Sequence, residues 1–175
     1  MAIIGGANSA GQAAVYFSGY AERVTMLVRG AGLERSMSHY LIEQLASLPN
    51  VTVRTETTAV AAEGEDGRLR RLQVRGPDGA EALDVDACFV FIGASPHTNW
   101  LEGVVARDER GFILAGPEVH GNGWPLKREP YPLETSVPGI FVAGDVRARS
   151  IKRVASAVGE GSMAVSLIHE YLANA

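Results

Sequence analysis

The chain has 175 residues, 46% of them hydrophobic and 7% aromatic, with 20 glycines and 8 prolines, the balance of a globular protein with many sharp turns rather than of a disordered chain. Its 20 Asp and Glu against 16 Lys and Arg give a net charge of -4, which leaves no basic footprint for a phosphate backbone and sets nucleic acid aside as the expected partner. No segment approaches the ~20 apolar residues that cross a bilayer and no basic, apolar leader opens the chain, so a cytoplasmic protein with no membrane contact is expected.

The opening "AIIGG" reads as a strand entering a turn, and its shortness suggests the trimmed start of a longer segment. A helix is expected over residues 10–20, where Ala10, Ala13, Ala14 and Phe17 form a small apolar face able to lie close to a sheet, and Ser9 and Gln12 have the spacing of a capping box. "RVTMLVR" reads as a second buried strand. Over 36–48, Met37, Leu41, Leu45 and Leu48 recur at helical spacing, and Pro49-Asn50 ends that run before the strand "VTVRT". The segments "TAVAAE", "LRRLQVRG" and "EALDVDA", divided by "GEDG" and "GPDG", predict an antiparallel meander interrupting a parallel sheet.

"ACFVFIG" is almost wholly apolar over 87–92 and predicts a central parallel strand covered on both faces. It carries the single cysteine, Cys88, which cannot form an internal disulfide and reads as a buried strand residue. Next, "GFILAG" reads as a short strand, "PEVHGNGWPLKREPYP" as an irregular loop and "GIFVAGD" as a further apolar strand. A last helix over 154–172 places Val154, Val158, Gly161, Val165, Ile168 and Leu172 on one face. Gly159 and Gly161 each cost that helix about 1 kcal/mol against alanine, so close approach to something is expected there. The sequence contains no internal repeat, coiled-coil heptad or low-complexity tract.

The turn Gly5-Gly6-Ala7-Asn8-Ser9-Ala10 follows the dinucleotide fingerprint G-x-G-x-x-G/A, whose first glycine makes the turn, whose second clears room for pyrophosphate and whose last position keeps helix near strand. Ala7 replaces the second glycine, and its methyl group either pushes the pyrophosphate outward or spoils the site. The surrounding strand, turn, helix and strand favour nucleotide binding, because a helix N-terminus offers unpaired N–H groups and a favourable dipole to an anion. The second strand ends in Arg29-Gly30 with no acid for a ribose diol; Glu34 comes later, and Arg35 lies six positions past Arg29. Two arginines can grip a 2'-phosphate, which favours NADPH over NADH, whereas Arg35 could also be an ordinary charge at a helix start.

Three separated segments, "IIGGANSAGQAAVYFS" with "RVTMLVRG", "FVFIGASPHTNWL", and "ETSVPGIFVAGDVR" followed by "KRVASAVGEGSMAV", extend the pattern over nearly the whole chain. In this order they resemble the rear portion of thioredoxin reductase-like flavoproteins of the pyridine nucleotide-disulfide oxidoreductase superfamily. The resemblance implies a Rossmann-like, three-layer α/β dinucleotide-binding domain with an antiparallel meander over residues 1–95, then the C-terminal half of an FAD-binding domain over 96–175, the front FAD segment being absent from this sequence. It implies that Asp145, after Gly144, accepts hydrogen bonds from the flavin ribityl chain. Val154, preceded by Arg153, would start a helix whose N–H faces the pyrimidine end of the flavin ring, where the helix dipole stabilises negative charge. Gly93 in "GASPHT" would lie at the crossing between domains, against bound nucleotide. Arg29 and Arg35 resemble the 2'-phosphate arginines, while Val28 and Gly30 stand where the family often has His and a further Arg.

Each of these residues has a plainer reading. Asp145 could be a solvated strand-end acid, Arg153 could pair with Glu160 or face solvent, His97 could belong to a linker, and Trp100 and Trp124 could fill a domain junction. The implied chemistry is hydride transfer from NADPH to FAD and on to a disulfide, a thioredoxin-like protein or another acceptor. The redox Cys-x-x-Cys of thioredoxin reductases lies ahead of the first strand seen here, so its absence says nothing of a parent protein. No Ser-His-Asp order, metal-ligand cluster or carboxylate pair competes, and no catalytic side chain or metal site is assigned. Three functions stay open: a partial oxidoreductase inactive or nearly so alone, whose exposed edges could pair with another copy of the chain, a nucleotide-binding module completed by a partner subunit, and a structural domain with a decayed fingerprint.

Overall fold

Three short apolar segments, β1 (Ala2–Ile4), β2 (Val24–Leu27) and β3 (Val51–Arg54), lie side by side in parallel, and parallel neighbours require crossovers long enough to hold a helix. The crossovers here are α1 (Asn8–Ser18) and α2 (His39–Ser47). This computed structural model describes residues 1–121 and 123–174 and divides the chain into two units, Met1–Gly93 and Ala94–Ala175.

In the first unit β4 (Thr58–Glu65), β5 (Arg68–Gly76) and β6 (Gly79–Asp84) form the expected antiparallel meander, after which the chain returns as β7 (Cys88–Val90). The parallel sheet has the order β3-β2-β1-β7 and the meander β4-β5-β6. Alternation along the strands sends side chains to opposite faces. Ile3, Val24, Met26 and Val28 pack with Ala10 and Ala14 of α1 and Leu41 and Leu45 of α2, while Ala2 and Leu27 pack with Leu72, Val74 and Val85 on the meander side. Helices, parallel sheet and meander are therefore three layers, and the mixed α/β class is as the sequence implied.

The structure departs from the sequence reading at several boundaries. Helix α1 starts at Asn8, and its N-cap is Ala7 without a side-chain cap bond, so Ser9 lies inside the helix and its capping box with Gln12 does not form. The two glycines turn the chain so tightly that helical geometry begins two residues early. Helix α2 starts only at His39, although Leu33 and Met37 ahead of it are already buried. Strand β7 is an edge, not a central strand: it pairs with β1 alone among the described residues, leaving Phe89 and Val90 partly exposed and Cys88 half-buried.

The second unit has 3-10 turns at Asn99–Leu101, Gly116–Val119 and Gly144–Val146, and one long helix, α3 (Val154–Asn174). Its small core contains Val105, Ile113, Ala115 and Val142. Neither "GFILAG" nor "GIFVAGD" forms a strand. Ile113 bridges singly to Arg107 and to Arg147, and Glu134 to Phe141; a ladder needs neighbouring backbone along its length, and here single residues meet. The apolar face expected on α3 exists but is bare: Val154 is 83% exposed and Leu172 65%, and Ala164 is the buried residue of the helix. A β-carbon added at Gly159 or Gly161 would meet nothing within 4 Å, so the expected close approach is not made by any described residue.

An ion pair between a half-buried arginine and a buried glutamate supplies order where sheet ladders do not. Glu134 is fully buried and takes both Arg128 Nη1 and Nη2, at 2.7 and 2.8 Å, together with the backbone N–H groups of Tyr131 and Gly139. The Arg128 guanidinium lies 4.8–5.6 Å from the ring centres of Trp124, Tyr131 and Tyr171, fastening the end of α3 to the loop by cation–π contacts. Burial pushes the Glu134 carboxyl up, but these hydrogen bonds outweigh it and hold the group below the usual carboxylate range. No helix among the described residues is long and apolar enough to cross a membrane.

Candidate functional site

In a parallel α/β sheet, ligands bind beyond the carboxyl ends of the strands where the strand order reverses. Here the order reverses at β1, which has β2 on one side and β7 on the other. The turn Gly5-Gly6-Ala7 leaves β1 at that edge and opens directly into α1. Gly5 has φ +143°, and a β-carbon there would collide with the Phe91 carbonyl; one on Gly6 would come within 2.8 Å of Val28 Cγ1. Both positions need glycine for reasons internal to the chain. Ala7 has φ -105° and is exposed, so the replaced glycine costs the fold nothing.

Segment 33–38 is tied across this turn. Ser36 Oγ donates to the Gly6 carbonyl at 2.8 Å, the Ser38 N–H donates to Asn8 Oδ1 at 2.7 Å, and the Met37 side chain packs where a β-carbon on Gly11 would stand. Asn8, expected as a cofactor residue, thus has its amide oxygen engaged in holding the turn. Ser9 is exposed in the first turn of α1 and Ala10 is buried beneath it. With no side-chain cap, the first N–H groups of α1 remain directed at the strand ends, an arrangement that favours an anion.

Arg29 follows β2 at the same sheet edge, and Arg35 lies within the tied segment. Both are exposed, and neither makes an ion pair or side-chain hydrogen bond among the described residues. Gly93, with φ +87°, lies three residues past β7, whose carboxyl end is level with that of β1. The fingerprint turn, both arginines and Gly93 therefore belong to one edge of the parallel sheet. Cys88, on β7, has its thiol pushed up by burial, which disfavours the reactive thiolate.

The second predicted set is in the second unit. Gly144 has φ +81° and begins the short turn that contains Asp145. Its N–H donates to Glu160 Oε2 at 2.7 Å, and Glu160 is also paired with Arg147, Nη2 to Oε1 at 2.5 Å and Nε to Oε2 at 3.1 Å. The hydrogen bonds from Arg147 hold the Glu160 carboxyl below its ordinary range. On the far side of the turn Lys152 Nζ donates to the carbonyls of Asp145 and Arg147, at 2.7 and 3.2 Å. The Asp145 carboxylate is exposed and makes no hydrogen bond or ion pair among the described residues.

Arg153 and Val154 stand exposed at the start of α3, and Arg153 donates to the Lys152 carbonyl. The pairing of Arg153 with Glu160 does not occur, because Arg147 holds that acid. Trp100 is largely exposed with its N–H on the His97 carbonyl, while Trp124 donates to the Arg128 carbonyl. Sequence reasoning named Glu160 only as a partner for Arg153, and missed its pairing with Arg147 and the tie from Ser36. Arg147 and Glu160 are thirteen residues apart, beyond any periodic signal; the only trace is an acid set between two glycines on a helix. No group of His, Cys, Asp and Glu suited to a metal ion occurs among the described residues.

A family model described as pyridine nucleotide-disulphide oxidoreductase matches residues 1–161. The chain is 35% identical over 174 residues to one component of the alkyl hydroperoxide reductase of Pseudomonas putida, covering 98% of this chain and 30% of that protein. It is 31% identical over 177 residues to a thioredoxin reductase from Escherichia coli O157:H7, covering 98% and 52%. Among solved structures, thioredoxin reductase from Lactococcus lactis superposes with a TM-score of 0.77 at 20% identity, over 99% of this chain and 53% of that one. The thioredoxin reductase of T. acidophilum gives 0.74 at 24% identity, over 98% and 52%. The chain thus spans about half the length of the thioredoxin reductases it matches and under a third of the hydroperoxide reductase component.

Proposed function

Since the chain belongs to the pyridine nucleotide-disulphide oxidoreductase family, whose members depend on flavin and pyridine nucleotide, we propose that residues 1–95 bind NADPH and residues 96–175 contribute the returning half of an FAD site. The observation that carries the first part is the uncapped N-terminus of α1 at the sheet's reversal point, behind a turn whose Gly5 admits no side chain. When bound, NADPH supplies a hydride that FAD accepts, and the electrons pass to a disulfide, thioredoxin-like or other acceptor.

The chain's own part is binding and orientation. The α1 amides and the Gly5-Gly6 backbone hold pyrophosphate. Arg29 and Arg35, both unengaged, meet the 2'-phosphate. Ser36 and Asn8 keep segment 33–38, and Arg35 with it, against the turn. In the second unit the exposed Asp145 carboxylate would accept hydrogen bonds from ligand hydroxyls, and the α3 N-terminus at Val154 would offer helix-dipole positive charge to an electron-rich part of a flavin. The residues suit the groups: glycine where backbone must come close, cations without partners, and a carboxylate without a partner.

Reduction of an acceptor needs a complementary flavin-binding half, either in the same polypeptide or from a partner subunit. The bare apolar ridge of α3 supports this reading, because an exposed stripe of that length is normally covered. The protein works in the cytoplasm, where its reductant is available. The deciding experiment incubates the purified chain with FAD, records its visible spectrum and titrates NADPH. Tight NADPH binding by a colourless protein, with flavin retained only on mixing with a flavin-binding half, is expected. Bleaching of a flavin held by this chain alone would instead make it self-sufficient, and absence of NADPH binding would leave a structural domain with a decayed fingerprint.

A further inference from the structure

The Gly144–Val146 turn is braced from two sides, by Glu160 with Arg147 and by Lys152, whose ammonium also lies 4.3 Å from the Phe112 ring centre. A helix residue, Glu160, takes the Gly144 N–H on Oε2 and two Arg147 nitrogens on its two oxygens, and it is largely buried while doing so. Lys152 holds the carbonyls of Asp145 and Arg147, with Ser150 Oγ as its third acceptor. Glu160, Arg147 and Lys152 are thus engaged with the turn, and the Asp145 carboxylate is exposed and makes no hydrogen bond or ion pair among the described residues. A charge-assisted bond from a backbone N–H to a carboxylate is about twice as strong as a neutral one, so the orientation of Gly144, already in the left-handed region at φ +81°, is set by α3.

We propose that Glu160, with Arg147, is a positioning residue for flavin: it fixes the Gly144–Val146 turn so that Asp145 presents its carboxylate to the ligand's polyol chain. This rests on the reading above, that Asp145 meets the flavin. The brace acts through geometry and not through contact with the cofactor. An amide in its place keeps one acceptor for the Gly144 N–H but sets a donor against Arg147, so it should spare part of the effect, and removing the acceptor should abolish it.

The test uses the 175-residue chain and residue-resolved NMR, with FAD as probe up to millimolar concentration. In the parent chain the amides of Gly144, Asp145 and Val154 shift on titration, and Gly144 exchanges its amide hydrogen slowly. Glu160→Ala should accelerate exchange at Gly144 at least tenfold and weaken the FAD response at Asp145 at least tenfold. Exchange at Val142 and Ala148, which are bonded to the Leu133 and Ile113 carbonyls, should stay unchanged. Glu160→Gln should fall between the parent chain and Glu160→Ala in both readouts, and it serves as the informative variant if Glu160→Ala does not fold. Asp145→Asn should lose the FAD response while keeping slow exchange at Gly144. An undiminished FAD response in Glu160→Ala would overturn the positioning role alone. Absence of any FAD response at Asp145 both in the parent chain alone and after mixing with a flavin-binding half would overturn that role and the flavin reading beneath it.

Discussion

The two units solve the same problem, satisfying buried backbone around an apolar interior, by opposite means. Residues 1–93 do it with hydrogen-bonded ladders: four parallel strands, three antiparallel ones and helices on the remaining face, each layer covering another. The described residues of 94–175 have isolated bridges, three 3-10 turns and two multiply bonded Arg–Glu pairs, while their longest helix keeps most of its apolar side chains in solvent. A unit that closes its own layers gains stability from area, at roughly 25 cal/mol per Å² of apolar surface. One that leaves a face open must hold its shape with charge and hydrogen bonds, and it becomes sensitive to single polar substitutions.

The sharpest way to break this contrast is Arg128→Ala, which strands the Glu134 carboxylate in the interior. A loss of about 3–5 kcal/mol is expected, confined to the second unit. Both tryptophans, Trp100 and Trp124, lie in that unit, so denaturant unfolding followed by indole fluorescence reports it, and amide exchange at Ile3 and Met26 should stay at parent rates. A uniform loss across both units would show that they unfold as one body.

Gly5→Ala is the counterpart in the first unit. It forces a side chain into a left-handed backbone position and against the Phe91 carbonyl, at a cost of order 1–3 kcal/mol. NADPH affinity should fall more than tenfold, because the turn must shift, while Trp fluorescence melting stays put.

Acidification separates the units next. Glu134 and Glu160 have folded-state values below the ordinary carboxylate range, so the stability they contribute is complete above about pH 4.3 and is lost as pH falls from there through the depressed folded values. The indole-reported transition should weaken on titration from pH 5 to pH 3 more steeply than exchange protection in the parallel sheet. Glu134→Gln and Glu160→Gln together should flatten that difference.

Replacing Arg29 and Arg35 together by Ala is the mildest change. Folding should move by no more than about 0.5 kcal/mol, because both side chains are exposed and unpaired. NADPH binding should weaken by roughly tenfold per lost charge-assisted contact, with NADH binding little changed. Equal losses for the two nucleotides would show that the arginines do not read the 2'-phosphate.

The same division governs what the sequence made legible. The first unit could be read almost element by element, because α1, β2, α2, β3 and the meander carry local periodicities whose partners lie within the same 93 residues. The error there was β7, whose apolar run promised a central strand, whereas among the described residues it pairs with β1 alone. In the second unit "GFILAG" and "GIFVAGD" have the composition of strands and yet form only bridges, since composition fixes an inclination to pair and not the presence of a mate. The ridge of α3 was foreseen as one face; its nakedness followed from the same missing neighbours. Gly5 and Gly6 were legible as a tight turn from strand into helix. The ties from Ser36 and Ser38, and the Arg147–Glu160 brace, were not, because such bonds join residues thirteen to thirty positions apart with no repeat to announce them.

The fingerprint positions do not share one constraint. Position 5 is closed to every side chain by its dihedral and by the carbonyl behind it, whereas position 7 has an extended backbone and faces outward. A saturation library screened for expression alone would return glycine at the former and wide variety at the latter. Repeating the screen with nucleotide capture would narrow position 7 to the smallest residues, separating the demands of the backbone from those of the ligand within three neighbouring residues.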